Sequence, residues 1–332
     1  MSKKLPRPKI PSETTESNVS NTSEATPKKK NQQTPPDESL ALGQYAVEIL
    51  QQEYKQLTKQ EKSVLADKDP EHLHQMRVSS RRLYTALQIF ETAIELPKAA
   101  SPKRVRTLTR VLGQLRDLDV QLQALSEEYL VQLDSAEQKQ LTPTLERLKQ
   151  KRKKALAGTR DTLSQSRYCD LKTAFESWFA QPRFTLLGNL PIKTILPDLL
   201  SPLLSESLLH PAWLIAAADI TEDNVVVLHD LRKSCKHVRY QAEFFVPFYG
   251  EAFKSWIKDL KILQDNLGSL QDIEVLKHLL YKQQMDPRQV PQLQQIIQDK
   301  QAALLSKWDV YRQPYLKADF RYQLHQMLLA PT

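Results

Sequence analysis

Cysteine is nearly absent from this chain. Cys169 and Cys235 stand far apart, in neither a CxxC pair nor a metal-ligand spacing, which argues against a disulfide scaffold and for reduced thiols in a cytosolic-type compartment. Glycine is scarce too: with 6 in 332 residues, the positive-φ turns of a hairpin-rich fold have few places to form. No apolar run approaches the roughly 18 to 20 residues of a membrane span, and the N-terminus lacks the apolar core of a signal peptide, so a soluble, non-exported protein is expected. A glycine-rich nucleotide loop and an acidic metal cluster are also missing, which weakens a phosphotransfer reading.

What the chain has instead is leucine, glutamine, lysine, alanine and glutamate, the better helix formers. With 40% hydrophobic residues it can bury a core, and the expected fold class is all-α. A formal charge of +8 and a pI near 9.2 favour an anionic partner. A dispersed lysine excess is more often only a soluble surface, so the placement of the charge has to decide.

Residues 1–36 hold six prolines, many Ser, Thr and Asn, the run Lys28, Lys29 and Lys30, and little to bury, the composition of a disordered basic tail. Residues 37–330 read as one helical domain in two halves, about 37–185 and 190–330. The first helix runs through Leu42, Tyr45, Ile49 and Leu57 and breaks between Asp67 and Pro70. The next spans His74 to Phe90. At about 100° per residue, Met76, Leu83, Leu87 and Phe90 share one side of it; His74, Arg77, Arg81 and, more peripherally, Arg82 share the other. A third helix opens at Ser101 and Pro102, carries Lys103, Arg106 and Arg110 on one side, and leads into LGQLRDLDV at 112–120. A long helix from about Ala136 to Leu163 bears Lys149, Lys151, Arg152, Lys153 and Lys154, ahead of a shorter one with Phe175, Trp178 and Phe179.

The chain then starts over. An apolar helical stretch from about Ile192 to Trp213 and a capping segment at 221–224 lead to a second histidine helix, His229 to Phe245. There Arg232, Lys233 and Lys236 gather beside His229, with His237 and Arg239 at the borders, while Leu231, Cys235, Val238 and Phe245 take the packing side. The next helix carries Lys254, Lys258 and Lys261 and reaches LGSLQDIEV at 267–275. Both motifs recur at one offset, 155 residues, which indicates a duplication. That period is too long for a solenoid repeat, so two similar halves, each with about four main helices and packed about a pseudo-two-fold axis, are expected.

One basic strip is ordinarily a solvated helix face. Four strips in duplicated halves, facing across a pseudo-dyad, would line a shared groove or pore in which like charges repel unless an anion occupies it. Arginine offers a planar fork of donors and lysine a mobile point charge, a mixture suited to a flexible, highly charged chain.

The ordered set HxxRVxxRRL, LGxLRDLD, HxLRKxxKxxRY and LGxLQDIE resembles the CHAD family, the conserved histidine α-helical domain, over roughly residues 37–330. The resemblance implies two four-helix bundles with internal pseudo-symmetry around a basic central pore that binds inorganic polyphosphate. By position it implies phosphate contacts from His74, Arg77, Arg81, Arg82, Lys103, Arg106 and Arg110 in the first half. In the second half it implies His229, Arg232, Lys233, Lys236, Arg239, Lys258 and Lys261. His237, Lys151, Arg152, Lys300 and Lys307 rank below these. The halves are not equivalent, since Tyr84 stands opposite Arg239, His237 opposite Arg82 and Asp265 opposite Arg110.

His74 and His229 are surrounded by cations, not by carboxylates or imidazoles, so metal ligation is disfavoured and no cofactor is expected. Each imidazole is expected to donate to phosphate or to fix a helix contact, with a pKa lowered by nearby Arg and Lys. Asp117 and Asp272 are expected to cap or salt-bridge an interface between bundles, because an acid aimed into a polyanion site would oppose binding. Gly113 and Gly268 suit close helix approach.

The charge pattern alone implies a polyanion; the resemblance implies non-catalytic binding of polyphosphate, with polyphosphate granules or polyphosphate-metabolising proteins as further partners and a cytoplasmic, granule-associated location. The alternatives are an accessory subunit of a phosphate-polymer or triphosphate enzyme, for which no ExExK pattern is found, and a nucleic-acid-binding protein. The last lacks the aromatic interleaving of a stacking platform, so nucleic acid is not expected as a specific partner.

Overall fold

The computed structural model describes residues 39–332 except Glu222; the tail with Lys28, Lys29 and Lys30 lies outside them. Every regular element among the described residues is helical. The first run consists of α1 (Leu42–Lys59), a short α2 (Glu61–Ala66), α3 (Pro70–Ile89), α4 (Pro102–Gln123), α5 (Ser135–Ser164) and α6 (Ser166–Ala180). The second consists of α7 (Ile192–Leu208), α8 (Val225–Glu243), α9 (Glu251–Lys282), α10 (Pro291–Arg312) and α11 (Ala318–Leu329). Displaced by 155 residues, the start of α3 falls on the first residue of α8 and the start of α5 one residue before that of α10.

Local chemistry explains the boundaries that matter for the site. Asp67 sits in the left-handed region at φ 52° and ends α2; Asp69 caps α3 by accepting from the Glu71 amide at 2.8 Å, with Pro70 in the first turn. The start of α8 differs from expectation. Asn224 is the N-cap residue, but its amide turns back to the preceding loop, accepting from the Thr221 amide at 2.7 Å and donating to the Asp219 carbonyl at 2.7 Å. It fixes the approach to the helix and leaves the helix's first amides to other partners.

In the first run α3 packs on α1 and α4, and α4 on α5; in the second α8 packs on α7 and α9, and α9 on α10. The two histidine helices, α3 and α8, also pack on each other. The halves do not have separate interiors: one buried cluster includes Leu42, Met76, Leu87 and Phe90 together with Leu231, Phe245, Phe248 and Leu267. Tyr45 makes the join, with its ring 5.0 Å from that of Phe248 and its hydroxyl donating to the Phe244 carbonyl. A second cluster joins Leu125, Tyr129 and Leu141 to Ile273, Leu276 and Leu293. No helix among the described residues is long and apolar enough to cross a membrane.

Candidate anion-binding site

The contact between α3 and α8 follows from the amphipathic pattern of each. Met76, Leu83 and Leu87 are buried, as are Leu231, Cys235 and Val238, which leaves the polar faces to meet along their margins. Four cations converge there: Arg77 and Arg81 from α3, Arg232 and Lys236 from α8. Burial is the main force lowering the Lys236 ammonium to about 7; Arg81, Arg232 and Arg77 add to it and Asp117 opposes it. Burial likewise lowers Arg81 to about 10, with Tyr240 and Asp117 opposing and Arg77 and Arg232 adding. Arg81 Nη1 donates to the Tyr240 hydroxyl at 3.2 Å, its guanidinium lying 5.4 Å from the ring centroid.

One of the two glycines has a specific task. A Cβ at Gly268 would lie 3.2 Å from Nε and Nη2 of Arg232, and one at Gly113 would lie 3.6 Å from Nε of Arg77. Gly268 therefore leaves room for the Arg232 guanidinium, whereas a Cβ at Gly113 would make an ordinary van der Waals contact with Arg77. Arg77 Nη2 then reaches Asp117 Oδ1 at 3.3 Å, so Asp117 orients a site cation and does not tie one bundle to another. Arg232 acts in the same sense on Asp272, countering the rise that burial imposes on that carboxyl.

The histidines flank this cluster. The His74 pKa is lowered by burial first and then by Arg116, Arg77 and Arg81, against Glu71. That of His229 is lowered by burial and then by Lys233, Arg232 and Lys236, against Asp230. The direction matches expectation, with burial the larger cause in both. Nδ1 of His229 and Nε of Arg232 are buried with no hydrogen-bond partner among the described residues, and the Arg232 N–H leaves an unmet demand for an acceptor on the α8 side.

Other expected contacts lie elsewhere. Arg82 Nε donates to Glu53 at 2.7 Å and Nη1 to Glu243 at 2.8 Å, with the guanidinium 4.9 Å from the Phe244 ring centroid. Arg239, 8% exposed, is held by Glu243 and by Gln264 at 3.0 Å. Both arginines are paired with carboxylates and share Glu243 at the junction of the halves. Arg152 is paired with Asp67, to which Nη2 and Nη1 donate at 2.7 and 2.8 Å, and with Asp119, to which Nε donates at 2.6 Å. Lys300 pairs with Glu128 and lies 4.4 Å from the Tyr129 ring centroid. It lines a groove of about 770 Å³ with Leu125, Leu276 and Asp272 that includes none of the four central cations. His237 bonds to Gln241 at 2.6 Å. Lys233 lies at the rim, paired with Asp230 at 2.9 Å. Lys103, Arg106, Arg110, Lys258, Lys261, Lys151 and Lys307 are exposed, with no salt bridge to any of them among the described residues.

Arg116 and Tyr240 escaped the sequence reading. Both stand inside the motifs, in LGxLRDLD and at the end of HxLRKxxKxxRY, so the signal was present but not used.

The CHAD domain family model matches residues 48–281. The chain belongs to the CHAD family. Among solved structures, the CHAD domain from the plant Ricinus communis is similar at 26% identity over 91% of this chain and 96% of that one, with a TM-score of 0.59. PptA from Streptomyces chartreusis shares the fold at 15% identity, a TM-score of 0.57, and coverage of 86% and 99%. No curated protein matches. In this CHAD domain the histidine motifs supply the two helices that meet at the junction, and the LG motifs supply the helices on which their first arginines lie.

Proposed function

We propose that this CHAD domain binds inorganic polyphosphate without turning it over, on the cation cluster where α3 meets α8, and that the two halves are related there by a pseudo-two-fold axis. The observation that carries the proposal is the convergence of Arg77, Arg81, Arg232 and Lys236, two from each half. Burial, and after it Arg77 and Arg232, lower the pKa of both Arg81 and Lys236, and Asp117 opposes them. Such a cluster repels itself when empty and is relieved by a polyanion. His74 and His229 would donate to the same anion, and exposed Lys103, Arg106, Arg110, Lys258 and Lys261 would extend its path by long-range attraction.

The test is binding to long-chain polyphosphate with RNA and single-stranded DNA as competitors, at two salt concentrations, while released phosphate is assayed. Polyphosphate is expected to win at equal charge concentration, and log Kd to rise with log salt with a slope of about 3, as for four neutralised phosphates. Displacement by RNA at comparable charge would remove the specificity, and phosphate release with turnover would remove the non-catalytic reading.

A further inference from the structure

Tyr240, on α8, touches two arginines, one paired with a carboxylate and one with no salt bridge among the described residues. The Arg239 guanidinium lies 4.4 Å from its ring centroid and is itself fixed by Glu243 and by Gln264 of α9, so the ring rests on an anchored surface. From α3, the Arg81 guanidinium lies 5.4 Å from the same centroid, and its Nη1 donates to the Tyr240 hydroxyl at 3.2 Å. That bond uses an oxygen lone pair. It leaves the hydroxyl proton, for which no acceptor is found among the described residues. The second half's Arg81 is not treated alike: at the 155-residue displacement Lys236 stands for Arg81, and Thr85, 5% exposed, stands for Tyr240.

We infer that Tyr240 is a phosphate-contacting residue: its hydroxyl, held by Arg81, donates to an oxygen of the phosphate that the Arg81 guanidinium binds. This rests on the reading of the cluster as a polyphosphate site. A guanidinium has several N–H donors, and the bond to Tyr240 leaves the others for the anion. A hydroxyl that accepts from a cation is polarised by it and becomes a better donor in turn. Tyr240 thus presents Arg81 and adds a second donor beside it, which makes this side of the site a preset pair, against the single mobile ammonium of Lys236 on the other. The hydroxyl carries no charge. Its bond to a phosphate oxygen adds affinity that depends on geometry and releases no counterion, whereas each of the four cations also adds to the salt dependence.

The experiment measures binding of long-chain polyphosphate to the full chain, to Tyr240→Phe and to Arg81→Ala over a series of salt concentrations. Tyr240→Phe keeps the ring between the two arginines and is expected to weaken binding on the order of tenfold throughout, the loss of one hydrogen bond to a charged acceptor. Its slope of log Kd against log salt should equal that of the wild type, whereas Arg81→Ala should lower the slope by about 0.7. In a second measurement, fluorotyrosine placed at Tyr240 alone is followed by fluorine NMR. Its resonance is expected to move on addition of polyphosphate and to saturate with the binding curve. Unchanged affinity of Tyr240→Phe, or a resonance that polyphosphate leaves in place, would overturn the inference. So would a fall in the Tyr240→Phe slope equal to that of Arg81→Ala, because the hydroxyl would then act through Arg81 alone. If the wild-type chain binds polyphosphate and one of these results appears, only the inference falls; if it does not bind, the functional reading falls with it.

Discussion

Arg81 and Arg82 follow one another on α3, and nothing in the residue type separates them. Arg82 is held between Glu53, 5% exposed on α1, and Glu243, across the junction on α8. Arg81 faces Arg77, Arg232 and Lys236, and its guanidinium's one hydrogen bond among the described residues goes to the Tyr240 hydroxyl. The same division recurs on α8, where Arg239 is held by Glu243 and Arg232 keeps a buried Nε with no partner. The contrast teaches that a basic motif contains two populations. Arg82 and Arg239 share Glu243 at the junction, whereas the cluster of Arg77, Arg81, Arg232 and Lys236 has Asp117 alone as a paired acid among the described residues.

Charge reversal at one arginine of the cluster from each histidine helix should separate the populations most sharply. Arg77→Glu with Arg232→Glu is expected to weaken polyphosphate binding by at least about a hundredfold while far-ultraviolet circular dichroism stays helical; retained affinity would place the site elsewhere. Arg82→Ala should do the opposite. By leaving buried Glu53 without its cation it is expected to cost about 2 kcal/mol in urea denaturation, with binding by the folded fraction unchanged. Equal stability of Arg81→Ala and Arg82→Ala would dissolve the distinction.

A third test uses pH. Lys236 is held near 7 in the empty protein, and a bound polyanion favours its charged form, so binding takes up protons. Affinity is therefore expected to rise as pH falls from 8 to 6 at fixed salt, on the order of tenfold for one proton. His74 and His229 contribute with the same sign. Lys236→Met should flatten the profile, and an unchanged slope would shift the effect to the histidines. The smallest expected effect is at the glycines: Gly268→Ala should weaken binding a few-fold by displacing Arg232, and Gly113→Ala less, in keeping with the 3.2 and 3.6 Å clearances.

Much of this arrangement was legible beforehand. Helix periodicity and the 155-residue offset located α3, α8 and their LG partners, because amphipathic spacing and repetition are properties of the sequence itself. What could not be seen was partnership over long separations. Arg82 looks as available as Arg81 until Glu53 and Glu243 arrive from other helices, and Arg152 looks exposed until Asp67 and Asp119 close on it. Asp117 was misjudged for a related reason: a lone carboxylate seemed hostile to a polyanion, whereas beside four cations it orients one of them and leaves the cluster positive. Lys236 could be placed on the basic face by spacing, but its depressed basicity depends on α3 lying against α8.

The aromatic seam at Tyr45, Phe90, Phe245 and Phe248 has a consequence for how the chain behaves as a machine. A tandem of autonomous modules could melt one at a time, and one could be deleted to leave a working remnant. Here each repeat completes the other's interior, so thermal unfolding is expected to be one cooperative transition, and either half expressed alone to expose the seam and aggregate. Mixed during refolding, the two fragments should reconstitute each other, which makes the fold a natural candidate for split-protein complementation.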